Sequence, residues 1–244
     1  MRKMILLVLC LCLLAAGCAP KESPTAVSPS LSANVITRQI TAEDGTLLLD
    51  LAYPKLAVNL SDSDMADRIQ SHLNQLIQQR MESGFALEEY AKEAYTEQST
   101  WVSWSSTMQA KISRVDAQII SVFFEYREFS GGAHPNSAVF SATYDGKTGA
   151  PVQLQDLLTE GHSIWALASL VNTALEPDKE LLYDDYEALV SKAFTDGTLP
   201  CWYLSGEGLC FAFAPYAIGP YASGIITGTI SYENLGEILH PEYL

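Results

Sequence analysis

Basic residues are scarce in this chain of 244: 14 Lys and Arg stand against 29 Asp and Glu, a formal charge of −15. Polyanions are held by basic side chains that displace counterions, and no basic cluster follows Lys3, so nucleic acid is not an expected partner. Histidine is scarcer. His72, His134, His162 and His240 stand apart with no paired spacing, so no zinc site is expected, and Asp145-Gly146-Lys147-Thr148-Gly149 lacks the alternating oxygen donors of a calcium loop. The sequence contains no Gly-x-Ser-x-Gly elbow, no complete phosphate-cradling loop and no Ser-x-x-Lys nucleophile motif, so no cofactor and no catalytic residue is expected. Asp184-Asp185 pairs two carboxylates, but on a charged segment that reads as a solvated helix face. Long apolar runs are also missing after the first 17 residues, which excludes a later helix spanning a bilayer.

What is present begins at the start of the chain. Arg2 and Lys3 precede residues 4–17, an uncharged apolar stretch shorter than the roughly 20 residues a spanning helix needs. It closes on Leu14-Ala15-Ala16-Gly17-Cys18, small residues before a cysteine, similar to the lipobox of bacterial lipoproteins, with Ala15 where leucine is usual. Residues 1–17 therefore read as a lipoprotein signal peptide, Cys18 as the lipidated residue, and the membrane as a partner through that lipid, outside the cytoplasm. Loss of residues 1–17 removes Arg2 and Lys3, leaving 12 basic against 29 acidic residues, a formal charge of −17. Residues 18–33, rich in Ser, Pro and Ala, cannot bury enough apolar surface to fold and read as a disordered linker.

The remainder alternates between strand and helix patterns. Two strand-like runs flank Asp44-Gly45, which suits a hairpin turn. Ser61 or Asp62 reads as a helix N-cap ahead of Ile69, Leu73, Leu76 and Ile77; the spacing predicts a helix to about Met81, a break at Gly84 and a second helix over 87–97. Strand patterns follow at 100–115, 118–129 and 138–144, helices at 163–175 and 181–194, and strands at 201–204, 209–213 and 225–232. Separate runs of strands and helices predict an α+β fold, a largely antiparallel sheet with helices packed on it. Cys201 and Cys210 lie in strand patterns around Ser205-Gly206-Glu207-Gly208, and in an oxidising compartment they are expected to form a disulfide across that hairpin.

Several short motifs of the C-terminal half carry a family resemblance: Gly131-Gly132-Ala133-His134-Pro135-Asn136, Tyr144-Asp145 with Thr148-Gly149, Asp156-Leu157-Leu158, and Pro215-Tyr216 with Pro220-Tyr221-Ala222. They resemble the domain of unknown function in the extracytoplasmic part of the lysozyme-sensing anti-sigma-V factor. Residues 34–126 resemble, more weakly, the domain that precedes it there and that also stands ahead of the catalytic module in a peptidoglycan deacetylase. The resemblance implies two sequential subdomains, 34–126 and 127–244, in an envelope protein that binds a wall enzyme or wall fragment. The lipid anchor takes the place of the cytoplasmic and membrane-spanning segments of such anti-sigma factors, and the deacetylase module is not found, so neither sigma-factor control nor deacetylation carries over.

The expected function is a lipid-anchored binding or sensing protein, with a cationic lysozyme-like protein or a cell-wall fragment as partner; the alternatives are a wall-modifying enzyme or its accessory or scaffold subunit. The candidate ligand-binding residues are Gly131, Gly132, His134, Pro135 and Asn136 in one loop and Tyr216, Pro220 and Tyr221 in another, because paired glycines let a partner approach the backbone and aromatics anchor interfaces. Each has a plainer reading, a turn fixed by His134 and a crossover loop holding the sheet. Trp101 and Trp104, with Tyr216 and Tyr221, are the candidates for an aromatic platform under sugar rings. Replacing Cys18→Ser is expected to leave uncleaved precursor and to abolish labelling by a fatty-acid analogue, read by gel shift and fluorescence.

Overall fold

The computed structural model describes residues 28–97 and 100–244. Cys18, the signal-like segment and most of the spacer lie outside the described residues. Strands β1 (Ser30–Thr41) and β2 (Leu47–Asn59) form the expected hairpin, closed by the Thr46 amide donating to Asp44 Oδ1 at 2.9 Å. β1 begins at Ser30, within the segment read as linker.

Helix α1 (Ser63–Glu97) starts at Asp62, whose Oδ1 accepts the Met65 amide at 2.9 Å as an N-cap does. Met65, Ile69, Leu73 and Ile77 recur at helical spacing and are buried against the sheet. The expected break at Gly84 does not occur: a single helix of 35 residues replaces the two predicted. Gly84 serves a different purpose. A Cβ there would lie 1.9 Å from Tyr53 Oη and 2.8 Å from Ser106 Oγ, so the glycine lets the helix rest directly on the sheet. Beneath it runs a buried hydroxyl chain, Tyr53 to Ser106 at 2.7 Å and Ser106 to Tyr126 at 2.9 Å, which ends where the Tyr126 hydroxyl donates to Glu128 at 2.6 Å.

The helix carries the chain across to β3 (Trp104–Val115), which lies parallel to β2, as a long crossover allows. β4 (Ile119–Phe129) and β5 (Asn136–Asp145) then add antiparallel, giving a five-stranded sheet in the order β1-β2-β3-β4-β5. β4 runs through residues 126 and 127, and β5 completes the same sheet.

The second body contains α2 (Leu167–Leu175), α3 (Tyr186–Thr195) and a three-stranded antiparallel sheet of β6 (Cys201–Leu204), β7 (Gly208–Phe213) and β8 (Ile226–Ser231), followed by the short α4 (Tyr232–Leu235). Strand alternation distributes its residues between two cores. Leu209, Phe211 and Phe213 pack with Val171 and Phe194 of α2 and α3, whereas Tyr203, Cys210 and Ala212 meet Phe123 and Val139 of the first sheet. The layers are thus α1, large sheet, small sheet, and α2 with α3. Polar contacts join the sheets: Ser121 Oγ accepts the Leu204 amide at 3.1 Å, and Arg114 donates to Tyr232 Oη and to the Tyr243 carbonyl, both at 2.6 Å.

Cys201 and Cys210, expected as a disulfide, are free thiols. Cys201 faces Ala212 and Cys210 faces Tyr203, so the pair is displaced by two residues along the ladder. Both cysteines share a face, but diagonal neighbours stand about 7–8 Å apart, beyond disulfide reach. Burial pushes the Cys201 thiol up to about 11. In a Cys210→Ser variant, alkylation of Cys201 should therefore keep accelerating with pH above 9, as the thiolate fraction grows. Gly84→Ala is expected to cost about 2 kcal/mol, read from the urea midpoint, because the new methyl overlaps the Tyr53 hydroxyl.

Candidate functional site

The loop between β4 and β5 meets the loop between β7 and β8 at one edge of the molecule. Gly131 and Gly132 both adopt left-handed backbone, with φ of 94° and 100°, and a side chain at either position would be strained. That double reversal turns the chain so that His134 lies on the neighbouring loop. Its ring stacks on Tyr221 with centroids 3.8 Å apart and planes 19° from parallel, and its Nε2 lies 3.0 Å from Tyr216 Oη. Tyr216 and Tyr221 are themselves 5.7 Å apart, so the three rings form one cluster.

The hydrogen bonds fix the imidazole. Nδ1 is 3.1 Å from the Pro135 carbonyl, which can only accept, so Nδ1 carries the proton. In the neutral ring Nε2 is then an acceptor, and the Tyr216 hydroxyl donates to it. Pro220 enters the 3-10 turn of Tyr221–Ser223 in extended conformation, and the Ser223 hydroxyl ties that turn to the Leu181 carbonyl at 2.7 Å. Asn136 opens β5, so the glycine loop is anchored at its far end by the sheet.

Tyr216 is the strained member. Its φ of 72° is the one positive value among the described residues other than glycine, and its side chain is 57 % exposed. A bulky residue in left-handed backbone costs on the order of 1 kcal/mol or more, a conformation that persists only when the surroundings hold it. Here the turn hydrogen bonds around it, Ala217 to Ala214 at 3.0 Å and Tyr216 to Gly219 at 3.1 Å, present the phenol outward. Exposed Leu181 adds aliphatic surface beside this loop.

All eight residues proposed from sequence lie in this edge, where the structure brings together two loops that the sequence presents only separately. The aromatic platform divides. Trp101 and Trp104 stack on each other at 5.8 Å, with Trp101 Nε1 committed to the Leu47 carbonyl at 2.9 Å. Trp104 Nε1 nevertheless lies 3.8 Å from where a Cβ on Gly131 would be, so the tryptophan pair borders the loop from the other side. Leu181 was not foreseen, because its helical pattern gives no sign that its carbonyl would be tied to the Tyr221 turn. His72, His162 and His240 are elsewhere, and no group of three His, Cys, Asp or Glu gathers to hold a metal among the described residues. The cluster offers ring faces, a hydrogen-bonded imidazole and an exposed phenol.

The fold is that of a two-part α+β protein, one sheet after the other along the chain. Residues 40–137 match a family model described as "Deacetylase PdaC", and residues 155–233 match one described as "Protein of unknown function (DUF3298)", in the order the sequence motifs imply. Two solved structures share the fold. A DUF3298 family member from Bacteroides fragilis superposes with a TM-score of 0.60 at 17% identity, over 88% of this chain and 94% of its own. A DUF3298 family protein from Pseudomonas aeruginosa gives 0.56 at 20% identity, over 88% of this chain and 97% of its own. No curated protein matches the chain. If Tyr216 is held for recognition, Tyr216→Gly should melt no lower than the parent, because relief of left-handed strain offsets the lost bond to His134.

Proposed function

We propose that this chain is a lipid-anchored envelope protein that binds a protein ligand at the His134–Tyr216–Tyr221 edge and does not turn it over. The observation that carries the reading is the exposed Tyr216, kept in left-handed backbone with its hydroxyl bound to His134. The bond to His134 does no more for the fold than offset the backbone strain, whereas a pre-formed aromatic ridge lowers the ordering cost of association. Tyrosines on rigid supports are also common interface anchors.

The acidic balance supports a basic partner. A mature charge of −17 draws cationic proteins toward the surface at low salt, and contact specificity falls to the ridge. A lysozyme-like protein, basic and present where the wall is degraded, fits both requirements, as does the resemblance to a lysozyme-sensing domain.

Hen egg lysozyme is the probe for calorimetry at two salt concentrations. The unaltered protein should bind at low salt and more weakly at high salt, while Tyr221→Ala should weaken binding by about tenfold or more with little change in melting temperature. Absence of binding at low salt would refute the lysozyme reading. An equal loss of stability and affinity in Tyr221→Ala would assign the cluster to folding.

A further inference from the structure

At the opposite end of β5 lies a second concave surface. Two adjoining cavities, of 180 and 300 Å³, share His72, Tyr144 and Pro151 and form one trough between α1, the edge of β5 and β6. Their combined size falls within the range of small-ligand sites, about 300–1,000 Å³. Arg68 and His72 stand one helical turn apart on α1 and line the trough from one side, and Trp202, Gln153 and Ser141 line its further end.

The groups along it form a graded sequence. At one end is Arg68, which donates to the Thr148 carbonyl at 3.1 Å and makes no ion pair with any carboxylate among the described residues. Arg80, the other described arginine without a carboxylate, lies over the Tyr126 and Phe140 rings instead. Neither cavity is lined by Asp or Glu. Asp64 and Asp67, the nearest acids to Arg68 on α1, form no ion pair with it, and nearer the cavities Asp145 Oδ1 accepts from the Lys147 and Thr148 amides while Asp156 Oδ2 accepts from the Gln153 amide.

The middle offers hydrogen bonds. His72 Nδ1 is held 3.0 Å from the buried Tyr144 hydroxyl, which orients the ring and leaves Nε2 unbonded. β5 is an edge strand, and the Val152 amide already donates to the Thr143 carbonyl from outside the sheet at 2.9 Å. By the two-residue period, the Ser141 N–H and C=O point outward on the same side, into the trough. The far end supplies the half-buried Trp202 ring. A flat aromatic face, a row of donors and acceptors, and an arginine fork suit a ring with hydroxyls and a carboxylate.

We propose that this trough is a binding site for an acidic saccharide, with the sugar ring against Trp202, its hydroxyls on His72, Gln153 and the β5 edge, and its carboxylate on Arg68. The site is independent of the aromatic ridge. Eight residues of extended strand separate Asn136, beside one, from Tyr144, in the other, or roughly 26 Å. The protein's negative field opposes an anion at long range, but screening confines that field to about 8 Å at physiological salt, and the arginine contact dominates at binding distance.

The test uses the folded chain with N-acetylmuramic acid, glucuronic acid and N-acetylglucosamine, titrated by heteronuclear NMR with tryptophan indole signals as reporter. Both acids should saturate, shifting the Trp202 indole, and bind about tenfold or more tightly than the neutral sugar. Preference for N-acetylmuramic acid would place the natural ligand in the wall, and preference for glucuronic acid would place it in uronate polymers. Arg68→Gln, at an exposed position, should bring the acids down to the neutral sugar, and His72→Ala should weaken all three. Tyr221→Ala should change none, which separates this site from the ridge whatever becomes of the lysozyme reading. The proposal is overturned if no sugar saturates, if the neutral sugar binds as tightly as the acids, or if Arg68→Gln leaves the preference intact.

Discussion

β4 is covered on both faces, and the architecture depends on that double burial. Ile120, Val122 and Phe124 pack toward α1, while Ser121 and Phe123, one residue out of phase, meet the small sheet. A strand with one wet face would leave two bodies loosely tethered. Here every second residue is committed to the partner layer, and a slip of one position would exchange the two sets of side chains. Ser121 makes that exchange costly: its hydroxyl is fully buried, shared with Thr143 and the Leu204 amide, and has no other polar neighbour to turn to. Because β4 and β5 are fixed in this way, the loops at both of their ends are fixed too.

Much of this was legible in the amino-acid pattern. Runs rich in β-branched and aromatic residues between turn signals marked the strands, and Asp44-Gly45 and Asp62 marked a turn and a cap by their own side-chain chemistry. Gly84 misled because helix propensity is a local preference worth about 1 kcal/mol, and contact with Tyr53 and Ser106 outweighs it. Nothing near residue 84 reveals those partners, which lie 31 positions earlier and 22 later in the chain. The cysteines misled for a related reason. Two strands and a turn can be read from sequence, but the turn closes with Leu204 opposite Leu209, which sets Cys201 against Ala212 and leaves the two cysteines on one face two positions apart.

The aromatic edge was legible as two separate loops, each with glycine or proline punctuation, but their meeting depends on how the two sheets pack and has no sign in either segment. Nor could the conformation of Tyr216 be read. Positive φ at a tyrosine has no compositional sign, since the surrounding Ala214, Ala217 and Gly219 would serve an ordinary turn equally well. The trough at the other end of β5 was invisible for the opposite reason. Arg68 and His72 are unremarkable polar positions on the flank of an amphipathic helix, and only the packing of residues 150–153 along the strand edge turns them into the wall of a cavity.

Helix α1 sets a distance as well as a layer. Its early turns carry Arg68 and His72, and near its other end Tyr95 touches Trp101, which stacks on Trp104 beside the glycine loop. The 27 residues from Arg68 to Tyr95 correspond to about 40 Å of uninterrupted helix. A body the size of a small protein seated at the aromatic edge therefore need not overhang the trough, and occupancy of one is no steric bar to occupancy of the other. The two surfaces proposed as sites are held apart by regular secondary structure, strand β5 and helix α1, and that separation is indifferent to loop conformation.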